Sequence, residues 1–339
     1  MKRAAANPSR RNVHPGRNSA QAIAVTAPNT TLPAGILQGD RRAIARAISE
    51  VENETAAGDA IIRGIHAHLG HALVLGITGP PGGGKSTLVS ELIGAFTRRG
   101  RSVAVVAVDP SSPFSGGALL GDRIRMERHA LAERVFIRSL ASRGHLGGLS
   151  RAVFRVVDVL DAAGFETIIV ETVGAGQSEV EIADIADIRV VVCPPGLGDD
   201  IQAIKAGILE IADIFVVSKC DLPLADRTEL ELNYLVGLRP DRSRQPRILR
   251  VTATTGEGTA ELADAIDAMA GACGRRREER LRERMRRMIA QEAGDAVRQR
   301  LHGVESAKLD ELCAALGRGE LRHEDAVAAA IRLAANGGA

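Results

Sequence analysis

The chain has 339 residues, 45% of them hydrophobic and 25% charged, with a net charge of +2. That length holds one large domain with additions, or two domains, and the apolar share suits a packed core. The near-balanced charge implies no nucleic-acid partner, a single Tyr with no Trp leaves no stacking platform for single strands, and no apolar run approaches the roughly 20 residues of a membrane span.

Residues 1–39 contain no Asp or Glu but carry Lys2, Arg3, Arg10, Arg11 and Arg17. They read as a flexible basic tail; the alternative is a mitochondrial transit peptide, which would move the protein from the bacterial cytoplasm to the matrix. Arg is used almost throughout, and Lys survives only at Lys2, Lys85, Lys205, Lys219 and Lys308. In such a chain a retained Lys suggests a place that needs a compact ammonium. The cysteines Cys193, Cys220, Cys273 and Cys313 lie far apart in sequence, with no paired spacing. They signal neither a zinc site nor a disulfide framework.

Residues 40–71 read as an N-terminal helical segment. From 72 to 272 short apolar runs alternate with helix-length stretches: ALVLGITG, SVAVVAVDP, VFIRSLA, TIIVETVG, IRVVVCPP, IFVVSKCD and ILRVTATT. Such nearly continuous runs predict strands buried on both faces of a mostly parallel sheet. The expected fold class is α/β, a doubly wound domain whose ligand lies beyond the carboxyl ends of the strands.

The first of those ends carries GPPGGGKS, which fits GxxxxGK[ST] between a strand and a helix. Gly79, Pro80, Pro81, Gly82, Gly83, Gly84, Lys85, Ser86 and Thr87 form the expected phosphate loop, with backbone N–H groups turned inward at a helix N-terminus. Lys85 is expected to reach the β- and γ-phosphates, and the Ser86 hydroxyl to bind Mg²⁺. Asp109 ends the second run, and Asp122 follows in a Gly- and Ser-rich segment. Both are candidate metal ligands, direct or through water, although Asp109 also fits a turn cap. Glu171 ends a buried run where P-loop GTPases place an Asp near the metal, and Gly174 is placed to meet the γ-phosphate. Gln177 and Glu179 share the next loop, and either fits the task of orienting water.

VVSKCDLP has the form of a guanine-reading loop, Asn-Lys-x-Asp, with Ser218 at the first position. Asp221 can accept from guanine N1–H and N2–H₂ together, and Lys219 can lay its stem over the purine. Thr252, Ala253 and Thr254, in VTATTGEG, offer backbone N–H groups to guanine O6. Ser218 is shorter than Asn and lacks its amide, so some base contacts are expected to be lost or bridged by water. Beyond 272 the chain is charged with apolar residues at helical spacing. Residues 273–339 are expected to form a helical dimerisation extension packed on a partner copy, the alternative being a helix laid on its own domain.

Together GITGPPGGGKSTL, VAVDPSSPFSGGALLGDRIRM, FIRSLASRGHLGG, IIVETVGAGQSEVEIADIAD and PPGLGDDIQAIKAGILEIADIFVVSKCDLP resemble the methylmalonyl-CoA mutase-associated GTPases, the MeaB/ArgK proteins and their mitochondrial relatives of the SIMIBI class. The resemblance is strong over roughly 40–275. It implies a homodimeric GTPase using GTP, GDP and Mg²⁺. Such proteins chaperone a cobalamin-dependent acyl-CoA mutase, gating adenosylcobalamin loading and protecting the mutase. By position it assigns the metal region to Asp109, Asp122 and Glu171. It also implies a further switch over Gly198 to Lys205, with Gln202, that couples nucleotide to mutase. Lys85, Glu171, Gln177 and Lys205 are then the catalytic candidates. Ser218 departs from the family's usual Asn. A nickel-insertion GTPase of hydrogenase or urease maturation is the alternative, but the His-rich tract or Cys/His ligands usual there are missing; a nucleotide-dependent scaffold with negligible turnover is another.

Overall fold

A computed structural model describes residues 31–109, 126–130, 132–141, 151–172, 178–196, 210–238, 245–272, 277–303 and 306–336. Seven strands form one sheet: β1 (Leu73–Thr78), β2 (Val103–Asp109), β3 (Val135–Ala141), β4 (Thr167–Thr172), β5 (Ile188–Cys193), β6 (Ile214–Ser218) and β7 (Arg247–Val251). Their order is β3-β2-β4-β1-β5-β6-β7, and every neighbouring pair is parallel. The doubly wound expectation therefore holds. The chain builds outward from β1 to β2 and β3, returns beside β1 as β4, and crosses to β5 on the other side. That reversal makes the crevice at the carboxyl ends of β4, β1 and β5 the natural ligand site.

The continuous apolar runs are explained by burial on both faces. Along β6, Ile214 and Val216 point into one core, with Leu75, Leu92, Phe96 and Ile266. Phe215 and Val217 point into the opposite core, with Val191 and Leu232. α4 (Lys85–Arg98) and α9 (Thr259–Ala272) supply residues to the first face, and α8 (Ala225–Gly237) covers the second. α5 (Glu127–Ala130) leads into β3.

Among the described residues three α-helices precede the sheet: α1 (Leu32–Leu37), α2 (Arg41–Glu52) and α3 (Ala56–Ile65). Asp40 caps α2, accepting from the Arg42 N–H at 2.8 Å, and Thr55 caps α3, accepting from the Gly58 N–H at 3.0 Å. Ile36, Ile44, Ile48 and Ile65 are buried in the core shared with α6 (Arg151–Ala162) and α7 (Ser178–Ile185). Within the stretch 1–39, α1 contributes Ile36 to the core. Asp161 on α6 accepts from three backbone N–H groups, Gly70, His71 and Ala72, at 2.6, 2.9 and 2.9 Å. These bonds aim the chain into β1 and its loop.

The extension contains α10 (Arg277–Gly303), α11 (Ser306–Gly317) and α12 (His323–Asn336). Leu281, Met285 and Met288 on α10 pack against the core under α6 and α7. Their spacing defines one helical face. Arg284, between them, donates to Asp158 at 2.9 Å and Asp161 at 3.1 Å. Arg287 donates to the carbonyls of Ala183 at 2.9 Å and Asp184 at 3.4 Å, at the C-terminal end of α7, where a cation is favoured. The first half of α10 therefore lies on its own domain.

Candidate active site

The phosphate loop, residues 79–84, joins the end of β1 to the start of α4. Gly79 has φ +139°, and a Cβ there would run into the Val192 carbonyl oxygen on β5. Only glycine lets the chain turn so close to the next strand. Pro81 and Gly82 lie at the exposed tip, whereas Lys85 and Ser86 are buried at the base and Pro80, Gly84 and Thr87 lie between. The Lys85 ammonium donates to the carbonyls of Gly79 at 2.8 Å and Pro80 at 2.9 Å, which sets it within the loop. Gly84, with φ +91°, is the N-cap of α4 and provides no side-chain cap. The helix start thus presents backbone donors and positive potential to an anion.

Two predicted metal-region residues meet directly. The Ser86 hydroxyl donates to Glu171 Oε1 at 2.7 Å, and both residues are buried. Register explains the meeting: Glu171 on β4 pairs with Ile77 on β1, two residues before Gly79. Oxygen donors of this kind suit Mg²⁺, a hard cation. Beside them, Thr172 donates to Thr78 across the same strands at 2.9 Å, with both hydroxyls buried. Sequence reading missed this pair, and its signal was a Thr directly before the loop and another directly after Glu171.

Asp109 is the last residue of β2, where its backbone pairs with Ala141 on β3. Asp122, Gln177 and Lys205 lie outside the described residues, as do Gly174, Glu179's side chain and the Gly198–Lys205 segment.

The base-loop candidates sit at the ends of β6 and β7. Lys219 takes φ +52°, a left-handed conformation uncommon outside glycine, and its Cε lies near Gly84. The Lys219 carbonyl accepts from the Leu222 N–H at 2.9 Å, a turn that leaves Asp221 exposed. Thr252 pairs with Glu257 in an isolated bridge, and its carbonyl accepts from the Thr255 N–H at 3.1 Å and the Gly256 N–H at 2.9 Å. This turn presents Ala253 and Thr254 beside the Asp221 loop, because β7 pairs with β6 in register. The Ser218 hydroxyl is buried and donates to the Gly83 carbonyl at 2.7 Å. It therefore joins the base loop to the phosphate loop. Cysteine chemistry is disfavoured here: burial pushes the Cys193 thiol up to about 12 and also raises that of Cys220.

Among the described residues no group of three His, Cys, Asp or Glu side chains is placed to hold a metal ion, and no helix is long and apolar enough to cross a membrane. The family model of the methylmalonyl-CoA mutase-associated GTPase MeaB matches residues 44–306. A chain of Pyrococcus abyssi named as a GTPase is 47% identical over 287 residues, 84% of this chain and 86% of its own. The GTPase ArgK of Escherichia coli is 39% identical over 239 residues, covering 68% and 72%. The mitochondrial methylmalonic aciduria type A homolog of Mus musculus is 35% identical over 251 residues, covering 68% of this chain and 60% of its own. A crystal structure titled LAO/AO transport system kinase superposes with a TM-score of 0.69 at 26% identity, covering 88% of this chain and 95% of that one. A strand–loop–helix phosphate cradle on an all-parallel sheet, and a match of this length to relatives named as GTPases, have one reading: the chain belongs to the methylmalonyl-CoA mutase-associated GTPase family, MeaB.

Proposed function

We propose that the chain binds GTP and GDP with Mg²⁺, hydrolyses GTP slowly, and serves as the nucleotide-dependent chaperone of a cobalamin-dependent acyl-CoA mutase. In that role it gates adenosylcobalamin loading and protects the mutase. The observation that carries this reading is the family match over residues 44–306, supported by the Ser86–Glu171 contact beside the Lys85 cradle. Lys85 and the N-terminus of α4 bind and orient the phosphates. Ser86 and Glu171, with Asp109 and Asp122 as further candidates, would hold Mg²⁺, which would supply positive charge to offset that of the phosphates. Attack of water then cleaves the bond from the γ-phosphorus to the bridging oxygen, giving GDP and phosphate. Gln177 is the candidate for orienting that water, and Lys205 for linking the site to the mutase. Asp221 reads guanine.

In this reading the basal rate is slow, and the mutase partner raises it. The test is GTP hydrolysis by the chain alone and with purified methylmalonyl-CoA mutase. Slow turnover that rises with the mutase, and a complex whose affinity differs between GTP and GDP, are expected. Absence of both acceleration and nucleotide-dependent binding, with this and with other cobalamin-dependent mutases, would overturn the chaperone reading. Undetectable hydrolysis with intact mutase binding would favour a scaffold instead.

A further inference from the structure

Ser218 stands where a base-reading side chain is expected, yet its hydroxyl points elsewhere. It ends β6, is 4% exposed, and donates to the carbonyl of Gly83 at 2.7 Å across 135 residues of sequence. Gly83 is itself held: its N–H donates to the Pro80 carbonyl at 3.1 Å. A Cβ at Gly83 would lie 3.0 Å from that carbonyl oxygen and 3.4 Å from Pro194 Cδ. The Gly83 carbonyl belongs to the peptide whose N–H is that of Gly84. In a planar trans peptide the C=O and N–H point in opposite directions. Fixing the carbonyl against Ser218 therefore fixes the Gly84 N–H away from β6. Gly84 begins α4 with φ +91° and no side-chain cap, so this N–H is one of the donors that the helix start offers to an anion. A glycine here has a wide range of backbone conformations, and the hydroxyl selects one. The next residue reinforces the contact, since the Lys219 stem runs beside Gly84.

We propose that Ser218 is a positioning residue for the phosphate loop, acting on the bound phosphates through the Gly83–Gly84 peptide and not on the base. Guanine selection then rests on Asp221 and the 252–254 turn. This rests on the reading that the chain binds guanine nucleotides, and it makes a different prediction from a base-contacting serine. Loss of the hydroxyl should weaken all nucleoside diphosphates by one factor, whatever the base.

The test is calorimetric titration of the full chain with GDP, with IDP, which lacks the 2-amino group, and with inorganic pyrophosphate, which has no base, on wild type, Ser218→Ala, Ser218→Thr and Asp221→Ala. Ser218→Ala should weaken all three ligands by the same factor, about three- to tenfold for one lost hydrogen bond, with the GDP-to-pyrophosphate ratio unchanged. Ser218→Thr, which keeps the hydroxyl, should recover most of the loss. Asp221→Ala should move the GDP-to-IDP ratio towards one. A GDP-to-pyrophosphate ratio altered by Ser218→Ala, or affinities equal to wild type, would overturn the inference. Each affinity is read on protein whose thermal unfolding shows it folded; if the Thr methyl proves too large, the ratio in Ser218→Ala still decides. Wild-type chain that binds neither GDP nor IDP would overturn the guanine-nucleotide reading itself, a result distinct from either of these.

Discussion

Lys85 and Asp221 test the two ends of the nucleotide separately. The Lys85 ammonium is buried at the base of the phosphate loop, with carbonyls of Gly79 and Pro80 as its partners. Lys85→Ala removes a buried side-chain charge at the base of the cradle. Hydrogen bonds to charged groups are worth about 1.5–3 kcal/mol, so GDP affinity should fall at least about tenfold, and GTP turnover should be lost. Unchanged affinity and rate would refute the role of the loop. Asp221 is exposed on the Lys219–Leu222 turn, free to meet a base edge. Asp221→Asn replaces an acceptor by an amide that can donate. Preference should move from GTP towards XTP, whose 2-oxo group accepts where guanine donates. A site built to bond a substrate's N–H groups rejects analogues lacking them by about 10⁴-fold. Wild-type protein should therefore bind GTP clearly over ATP, and equal binding in calorimetry would mean that the loop does not read guanine.

At the scale of elements, α10 does more than extend the chain. Arg284 enters a buried pair of carboxylates on α6, Asp158 and Asp161, and Arg287 meets the end of α7. Breaking a buried pair by removing one partner costs about 3–5 kcal/mol, because a buried charge is left behind. Arg284→Met should destabilise the fold by that order, read by urea denaturation. A chain ending near Gly274 should suffer the same loss along with the packing of Leu281, Met285 and Met288, while a chain ending at Gly303 should keep both. Asp158 gives a pH signature. Burial raises its carboxyl from 3.8 to about 6, against the lowering pull of Arg284, with Asp161 adding to the rise and His66 and Arg155 opposing it. Between about pH 4 and pH 6 the folded chain holds a proton that the unfolded chain releases. This group's contribution to stability therefore falls as pH rises through that window and is level above it. Asp158→Asn should flatten this slope while leaving Asp161 to Arg284. An identical slope in the variant would show that another group sets it.

For the whole molecule, the proposal is a dimer built through the outer part of the extension. Ile289 on α10 and Val327 and Ile331 on α12 are exposed, and the last two share a face at i, i+4 spacing. α10 anchors the extension to its own domain through its first half, leaving the second half with α11 and α12 for a partner. Full-length chain should sediment as a dimer at micromolar concentration. Deletion of 304–339 should give a monomer that still binds GDP, since no residue of the described site lies there. A full-length monomer would refute the assembly.

The sequence by itself determined the parallel sheet, because strands buried on both faces cannot alternate polar with apolar residues. It also determined the phosphate loop, because that backbone demands glycines and a lysine at fixed spacing. What it could not determine was where short polar side chains point across long sequence separations. Ser218 reads locally as a weakened guanine ligand, and only the placement of β6 beside the loop puts its hydroxyl on Gly83. Glu171 was legible as a metal-region acid, but its bond to Ser86 depends on the register of β4 against β1. Arg284 is one arginine among many in a charged helix. Its role appears only when α10 is laid across α6, because a buried charge is defined by what surrounds it and not by its neighbours in the chain.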